Sequence, residues 1–281
     1  MNITIETVAG DPISIKTMGF SGGERHVQLT DLPAGDIAAF TIKARVQNAN
    51  DLMDLLLVDN AIKSHYGASV DVNLELPYLP YARQDRVCAE GQAFSLQLMA
   101  SLLNGMRLKQ LVTWDCHSQI GIELTGASNV EPTEIIKNSN DLLAILQAED
   151  SVLICPDKGA LKRCTQLKHD LAIEHMVLCE KRRDPATGKI THTDVLVDNL
   201  SGKTAVITDD ICDGGYTFIK IAEQLKQKQV NKIVLFVTHG IFSKGLVVFD
   251  GLVDRIFTTN SFPQEESHLV KVIDFTYDFK Q

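Results

Sequence analysis

The chain has 281 residues, of which 44% are hydrophobic, and its 27 basic and 36 acidic side chains give a formal net charge of −9. This length predicts two domains, each large enough to bury its own core. The acidic balance argues against non-specific binding of nucleic acid. No apolar run approaches the ~20 residues that span a bilayer, and the N-terminus lacks the basic and apolar regions of a signal peptide. We therefore expect neither nucleic acid nor a membrane among its partners.

Six cysteines are scattered along the chain without the spacing of a zinc site. This usage indicates a reducing compartment, so we expect a cytoplasmic protein. Basic side chains nevertheless cluster at three places in this acidic chain. The clusters are Arg83 with Arg86, Lys158 with Lys162 and Arg163, and Lys181 with Arg182 and Arg183.

Short apolar runs alternate with helical patterns along the chain, which indicates parallel sheets flanked by helices. The predicted strands are 37–42, 69–76, 109–113, 152–155, 175–179, 204–208 and 232–237, and the predicted helices are 51–65, 94–103, 159–169 and 216–228. A hairpin is predicted from 184–189 and 194–199, because Pro185-Ala186-Thr187-Gly188 is typical of a turn. The pattern predicts an α/β protein of two related open parallel-sheet domains packed together, residues 1–142 and 143–281.

Charged or glycine-rich segments follow five of these strands. They are Trp114–His117, Pro156–Gly159, Glu180–Arg183, Asp209–Gly215 and Thr238–Gly240. In open α/β sheets, ligands bind at the carboxyl ends of the strands, where loops meet helix N-termini. Five such segments in succession predict a binding site at these strand ends.

The segment AVITDDICDGGYTF, residues 205–218, carries the most specific chemistry. A buried strand leads to the adjacent carboxylates Asp209 and Asp210, and Asp213 follows. The next residues open a helix and are Gly214, Gly215 and Thr217. Glycines let the backbone approach a ligand, and the N–H groups of a helix N-terminus bind an anion such as a phosphomonoester. The carboxylates then bind ribose hydroxyls or a Mg²⁺ ion; the alternative is that Asp213 only caps the helix while the other two are solvated.

This segment resembles the ribose-5-phosphate-binding signature of the phosphoribosyltransferase fold, a strand followed by D-D-x-x-D-T-G-G-T. Other segments are similar to one family of that fold, the ribose-phosphate diphosphokinases (PRPP synthetases), and they occur in the family's order between residues 20 and 262. They are Leu76–Arg86 (P-Y-x-x-Y-A-R-Q-D-R), Asp115–His117 (D-L-H), Cys155–Gly159 (S-P-D-x-G-G), Lys181–Arg183 (K-R-R), Thr238–Ser243 (T-H-x-x-F/L-S) and Thr259–Ser261 (T-N-S).

The resemblance implies transfer of the diphosphate of MgATP to O1 of ribose 5-phosphate, giving 5-phosphoribosyl 1-diphosphate and AMP. Such a displacement depends mainly on positioning and charge neutralisation. The resemblance therefore implies that Lys181 and Arg183 are catalytic and stabilise the transferring diphosphate, while His117 and Asp157 hold Mg²⁺. The alternatives are a solvated basic patch for the first pair and a structural role for the histidine.

The resemblance assigns the two substrates to the two domains. In residues 1–142, Arg83, Gln84, Asp85 and His117 are expected to contact ATP. Phe20 and Glu24 resemble the family's F-x-D-G-E loop, which reaches the adenine of a neighbouring subunit and implies a dimer-based homo-oligomer, up to a hexamer; plain core packing is the alternative for Phe20. In residues 143–281, the sugar is expected on Asp209, Asp210 and Asp213, with its 5-phosphate on Gly214, Gly215 and Thr217.

The chain departs from the family at four places. Gly22 stands where the family usually has Asp, Gly214-Gly215-Tyr216-Thr217 replaces T-G-G-T, and Ala160 replaces the second glycine of the diphosphate loop. Residues 87–91 lack the basic side chains that usually follow the R-Q-D-R segment, which predicts an enzyme only weakly regulated by phosphate or ADP.

Two other functions stay open at this point. The first is a phosphoribosyltransferase, which would consume 5-phosphoribosyl 1-diphosphate with a base; the R-Q-D-R and K-R-R segments argue against it. The second is a catalytically silent regulatory relative. The retained charged residues, from His117 to the three loop carboxylates, argue against that one.

Overall fold

A computed structural model describes residues 2–35, 37–183 and 190–279, and the side chains of 181–183 and 190–193 lie outside that description. The chain divides into two compact units, Met1–Val130 with Thr276–Gln281, and Glu131–Phe275. The division falls earlier than 142/143, the boundary expected from the sequence. None of the helices in the described residues is both long enough and apolar enough to cross a membrane.

The first unit contains a seven-stranded sheet with the strand order β3-β2-β1-β4-β5-β6-β7. Its strands are β1 (Ile3–Thr7), β2 (Pro12–Gly19), β3 (Arg25–Thr30), β4 (Ala39–Ala44), β5 (Asp71–Glu75), β6 (Gln110–Trp114) and β7 (Ser128–Val130), and its helices are α1 (Ala49–Tyr66), α2 (Ser95–Gly105) and α3 (Gln119–Thr125). Strands β4 to β7 are parallel to one another. Strands β1, β2 and β3 pair antiparallel, so this sheet is mixed rather than purely parallel.

Helix α1 shows how the local sequence builds the first unit. The side chain of Asn48 accepts hydrogen bonds from the N–H groups of Asn50 and Asp51 and so begins the helix. Its buried residues Leu55, Val58 and Ile62 recur at helical spacing and belong to the core that covers the sheet. The helix ends at Gly67, whose φ of 100° few other residues adopt.

The second unit repeats this strand order in a sheet of its own, β10-β9-β8-β11-β12-β13-β14. Its strands are β8 (Ser151–Cys155), β9 (Met176–Arg183), β10 (Ile190–Val195), β11 (Thr204–Cys212), β12 (Lys232–Gly240), β13 (Arg255–Thr259) and β14 (Val270–Ile273); its helices are α4 (Pro132–Lys137), α5 (Asn140–Leu146), α6 (Leu161–Asp170) and α7 (Tyr216–Gln227), with a 3-10 helix at Leu246–Phe249. All neighbouring strands are parallel except β9 and β10. Two α/β units with the same strand order confirm the predicted fold class.

Helices α4 and α5 explain why the division between the units falls before 142/143. Helix α5 contacts β8, and α4 contacts α6, so both pack within the second unit.

Three strands of the second unit run further than predicted. Strand β9 continues to Arg183 because β10 folds back and pairs with it, and β11 and β12 continue side by side to Cys212 and Gly240. The charged segments at 180–183 and 209–212 therefore lie within strands and not in the loops after them. The hairpin is formed by β9 and β10; the predicted strand 184–189 and its turn Pro185–Gly188 lie outside the described residues.

Candidate active site

Two carboxylates lie side by side near the carboxyl end of β11. Asp209 and Asp210 are both half-buried, and the N–H of Asp210 donates a hydrogen bond to Oδ1 of Asp209 at 3.1 Å. Burial, together with the neighbouring charge of Asp210, raises the pKa of Asp209 well above its ordinary value. A divalent cation or sugar hydroxyls would relieve this repulsion, and hard oxygen ligands of this kind suit Mg²⁺.

Arg163 on α6 opposes the rise in the pKa of Asp209, because its positive charge favours the ionised carboxylate. The side chain is half-buried. The sequence pattern places Arg163 in a basic cluster but assigns it no role. The sequence could have indicated a role for Arg163 through its place in the first turn of the helix that follows a strand-end loop.

The loop between β11 and α7 leaves a helix N-terminus open to an anion. Gly215 holds the N-cap position with a φ of 78° and has no side chain that could accept a hydrogen bond from the first turn. A Cβ at Gly215 would lie 2.7 Å from Cζ of Phe249, so this position requires glycine twice over. Thr217 follows in the first turn of α7, half-buried, and Tyr216 is 54% exposed.

Asp213 is held by the segment that follows β12. The Oγ of Ser243 donates a hydrogen bond to Oδ1 of Asp213 at 2.5 Å, and the N–H of Ser243 donates to the carbonyl oxygen of Asp213 at 3.1 Å. The structure therefore places two predicted segments, 209–217 and 238–243, against each other at one edge of the sheet.

The loop after β8 has the geometry of a helix entry. Oδ1 of Asp157 accepts a hydrogen bond from the N–H of Ala160 at 3.0 Å, at the start of α6. Ala160 is buried, so a methyl group fits where the family has its second glycine. Nζ of Lys158 lies 3.1 Å from Oε1 of Glu180, which ties this loop to β9.

The cysteines beside this loop are buried in the fold. Cys155 and Cys164 are fully buried, and the contact between them together with burial raises the pKa of the Cys155 thiol. In β11, burial and the charges of Asp209 and Asp213 raise the pKa of Cys212 to about 12. High pKa values of this kind keep thiols protonated and unreactive.

Lys181 and Arg183 lie in β9, where they pair in register with Thr193 and Ile190 of β10. Their side chains lie outside the described residues. The backbone therefore corrects their predicted place in a loop, and their catalytic roles stay predictions.

In the first unit, Arg83 and Gln84 are exposed and line a cavity of about 520 Å³. The cavity lies between the segment after β4 and the segment after β5. Tyr78, Tyr81 and Asn48 also line it. Aromatic, amide and guanidinium groups around one concave space are typical of a small-molecule pocket.

Asp85 lies at the centre of a polar cluster beside this cavity. Its Oδ1 accepts a hydrogen bond from Nε of Arg86 at 2.9 Å, and its Oδ2 accepts one from Oγ of Ser118 at 2.8 Å. The bond from Arg86, then the bond from Ser118 and the charge of His117, lower the pKa of Asp85. His117 is exposed and close enough to act on this carboxylate, so the structure brings two predicted ATP residues together.

Phe20 and Glu24 lie at the tip of the hairpin formed by β2 and β3. The N–H of Phe20 donates to the carbonyl oxygen of Glu24 at 2.9 Å, and the Phe20 ring is 52% exposed and packs edge-on against His26. The core-packing alternative for Phe20 is therefore wrong. A Cβ at Gly22 would lie 2.6 Å from Oε2 of Glu24, so this carboxylate occupies the space that a side chain at Gly22 would need.

The predicted metal ligands lie in separate units, His117 in the first and Asp157 in the second. Among the described residues, no group of three or more His, Cys, Asp or Glu side chains is arranged to hold a metal ion.

Comparison with known proteins identifies the relatives of both units. The family model for the N-terminal domain of ribose phosphate pyrophosphokinase matches residues 5–106, and the model for a phosphoribosyl synthetase-associated domain matches residues 159–277. The ribose-phosphate pyrophosphokinase of Pyrococcus abyssi is 29% identical over 95% of this chain and 90% of its own length. That of Mycoplasmopsis pulmonis is 30% identical over 77% of this chain and 67% of its own length.

The fold has a solved counterpart. The crystal structure of phosphoribosylpyrophosphate synthetase from Mycobacterium smegmatis superposes with a TM-score of 0.78, at 21% identity, covering 95% of this chain and 88% of that chain.

Proposed function

The chain belongs to the ribose-phosphate pyrophosphokinase family, a family of diphosphotransferase enzymes, and we propose that it transfers the diphosphate of MgATP to O1 of ribose 5-phosphate. The products are 5-phosphoribosyl 1-diphosphate and AMP. The observation that carries this proposal is the combination in the second unit of the paired carboxylates, Asp209 and Asp210, with a helix N-terminus capped by Gly215. Carboxylates suit sugar hydroxyls, and the open N–H groups suit a phosphomonoester.

Different residues of the second unit bind different parts of the sugar phosphate. Asp209, Asp210 and Asp213 bind the ribose hydroxyls, and the backbone of Gly214, Gly215 and Thr217 binds the 5-phosphate. Lys181 and Arg183 neutralise the diphosphate as it is transferred, because cations matter most where charge accumulates in the transition state. Asp157 lies in the loop before α6, which is the loop that meets the diphosphate.

The first unit supplies the nucleotide contacts. Arg83 and Gln84 line the cavity, and Asp85 and His117 form the polar cluster beside it. His117 and Asp157 are the residues that would hold Mg²⁺, which would supply charge neutralisation when bound. The exposed Phe20 ring and Glu24 carboxylate suit the face and the amino edge of an adenine, and we place them in the site of a neighbouring subunit of a dimer-based homo-oligomer. We also place the enzyme in the cytoplasm.

A direct assay tests the reaction. The purified protein is incubated with MgATP, with and without ribose 5-phosphate, and AMP is measured. AMP formation that depends on the sugar phosphate supports the proposal. Consumption of 5-phosphoribosyl 1-diphosphate in the presence of a base identifies a phosphoribosyltransferase instead, and neither activity identifies a silent relative.

A variant tests the catalytic assignment. Lys181→Ala is expected to lower kcat about 10²–10³-fold, since loss of a transition-state charge partner costs ~3–4 kcal/mol. Lys162→Ala, which removes an exposed cation from α6, is the matched control and should keep near-normal activity. A near-normal rate for Lys181→Ala contradicts the assignment.

Regulation is proposed to be weak because residues 87–91 carry no basic side chain. ADP should then inhibit only in competition with ATP. Steady-state kinetics that show strong ADP inhibition at saturating ATP contradict this part of the proposal.

A further inference from the structure

The turn after β12 is fastened to the proposed 5-phosphate loop by backbone hydrogen bonds. The N–H groups of Ile241 and Phe242 donate to the carbonyl oxygen of Cys212 at 2.9 and 3.1 Å, and the N–H of Ser243 donates to that of Asp213. The N–H of Gly245 closes the turn on the carbonyl oxygen of Phe242 at 2.8 Å. This turn therefore keeps a fixed position beside the loop.

Apolar packing also holds the turn after β12 against the proposed 5-phosphate loop. Phe242 is buried, and its ring lies 6.1 Å from that of Phe249 in an edge-on contact. The Phe249 ring in turn lies against Gly215, the N-cap of α7. One cluster of aromatic rings thus supports both the turn and the N-terminus that would bind phosphate.

Lys244 is the side chain that this arrangement places over the loop. A Cβ at Gly214 would lie 3.4 Å from Cγ of Lys244, so the stem of the lysine passes directly over that glycine. The ammonium group lies three bonds further along this flexible side chain. Lys244 forms no ion pair within the described part of the chain, whereas Lys220 on α7 is paired with Glu223 at 2.8 Å.

We propose that Lys244 is a specificity-determining residue that binds the 5-phosphate of the sugar substrate through its ammonium group. This inference rests on the proposed function, because it takes the loop Asp213–Thr217 as the phosphate site. A phosphomonoester carries nearly two negative charges at neutral pH, and the helix N-terminus supplies only partial charges against them. A lysine at the rim adds a full positive charge that discriminates between the phosphorylated sugar and free ribose.

Direct binding and kinetics test the assignment together. The dissociation constant of ribose 5-phosphate is measured by calorimetry for the wild type, Lys244→Met, Lys244→Arg and Lys232→Met, and KM and kcat are measured for both substrates. Lys232 is exposed and begins β12, so it lies at the end of the strand opposite to the turn. Its replacement therefore removes the same charge far from the loop.

Lys244→Met should weaken ribose 5-phosphate about 10-fold in both Kd and KM, the loss expected for one charge-assisted contact. KM for ATP and kcat should stay within twofold, Lys244→Arg should retain most of the affinity, and Lys232→Met should match the wild type. A Kd within twofold of the wild type for Lys244→Met, or equal weakening of ATP and ribose 5-phosphate, overturns the proposal.

Calorimetry separates this inference from the proposed function. If the wild type binds ribose 5-phosphate but forms no AMP, the proposed reaction is contradicted. The Kd values of the Lys244 variants then still decide whether Lys244 binds the 5-phosphate. A wild type that does not bind ribose 5-phosphate overturns both.

Discussion

Asp209 is a carboxyl group whose ionised form the fold itself disfavours. Burial and the charge of Asp210 raise its pKa, and within the described part of the chain the positive charge of Arg163 works in the opposite direction. Strongly shifted carboxyls of this kind are common where a ligand or metal supplies the missing positive charge. In the unliganded protein, ionised Asp209 should therefore lower the free energy of unfolding.

Replacement of Asp209 measures that destabilisation. Asp209→Asn keeps the oxygen that accepts the hydrogen bond from the N–H of Asp210 but cannot ionise. Because the folded-state pKa of Asp209 is raised, the group has no effect on stability at pH values below the unfolded-state pKa. As the pH rises from there through the folded-state pKa, ionisation of Asp209 increasingly destabilises the folded protein. At pH 7.5 the variant should unfold at a higher temperature, by about 2–4 °C for each ~1 kcal/mol removed, while near pH 3.5 the two proteins should unfold alike.

Thermal unfolding in EDTA, at pH values from 3.5 to 8, makes the comparison without a bound metal. Asp250→Asn replaces an exposed carboxylate on the same unit and should leave the melting temperature unchanged at every pH. A melting temperature of Asp209→Asn that is lower than that of the wild type at pH 7.5 would show that the carboxylate is stabilised rather than strained.

At the scale of single residues, the sequence identifies the carboxylates but not their partners. Asp209, Asp210 and Asp213 are recognisable because a buried strand precedes them and glycines follow. Arg163 and Lys244 are not, because their roles depend on α6 and the turn after β12 lying beside β11. Only the folded sheet brings residues so distant in sequence into contact.

At the scale of elements, the start of helix α7 depends on Gly215 more than on its neighbour Gly214. Gly215 has a φ of 78°, and a Cβ there would lie 2.7 Å from Phe249, whereas a Cβ at Gly214 would lie 3.4 Å from Cγ of the flexible Lys244 side chain and 3.9 Å from Oγ of Ser243. Gly215→Ala should destabilise the protein by about 1–3 kcal/mol through backbone strain and the clash. Gly214→Ala is the matched control and should change stability by less than about 0.5 kcal/mol; equal losses in urea unfolding would contradict this account.

The carboxyl ends of β4 and β5 are joined by a buried ion pair. Oε1 of the fully buried Glu75 lies 3.2 Å from Arg45, whose guanidinium packs over the Trp114 ring, and Oε2 accepts a hydrogen bond from the N–H of Tyr277. Glu75→Ala removes the buried carboxylate that pairs with the Arg45 guanidinium and should cost about 3–5 kcal/mol in free energy of unfolding.

A second ion pair of the same sheet provides the control for this prediction. Glu6 pairs with Lys43 at 2.9 Å, but its side chain is 39% exposed. Glu6→Ala should therefore cost less than about 1 kcal/mol in the same urea titration. Similar losses for Glu6→Ala and Glu75→Ala would show that burial does not decide the strength of these pairs.

Several strands that are buried on both faces were predictable, although the equally buried β13 was missed. The runs 152–155, 204–208 and 232–237 all become strands, because parallel strands under helices must be apolar throughout. The antiparallel strands β1 to β3 escaped prediction, since most side chains of β2 are exposed and show no apolar run. The extensions of β9, β11 and β12 also escaped it, because pairing with a neighbouring strand and not local hydrophobicity lengthens them.

For the whole molecule, the exposed hairpin tip predicts that the active site is shared between subunits. If Phe20 and Glu24 serve a neighbour, a subunit that lacks them still accepts them from its partner. Two inactive variants, Phe20→Ala with Glu24→Ala in one chain and Lys181→Ala in the other, should therefore regain activity when co-expressed. Random pairing in a two-fold dimer predicts about a quarter of the wild-type activity, measured as AMP formation.

Each variant expressed alone is the control and should be nearly inactive. Recovery no greater than the sum of the two variants alone would show that Phe20 and Glu24 act within their own subunit or not at all.

The return of Thr276–Gln281 to the first unit has a consequence for synthesis on the ribosome. A chain made from its N-terminus tends to fold domain by domain as it emerges. Here the first unit receives the hydrogen bond from Tyr277 to Glu75 only after residues 131–275 have been translated. Until then the buried carboxylate of Glu75 lacks one of its partners, so the unit that is made first is completed only after the second has been translated.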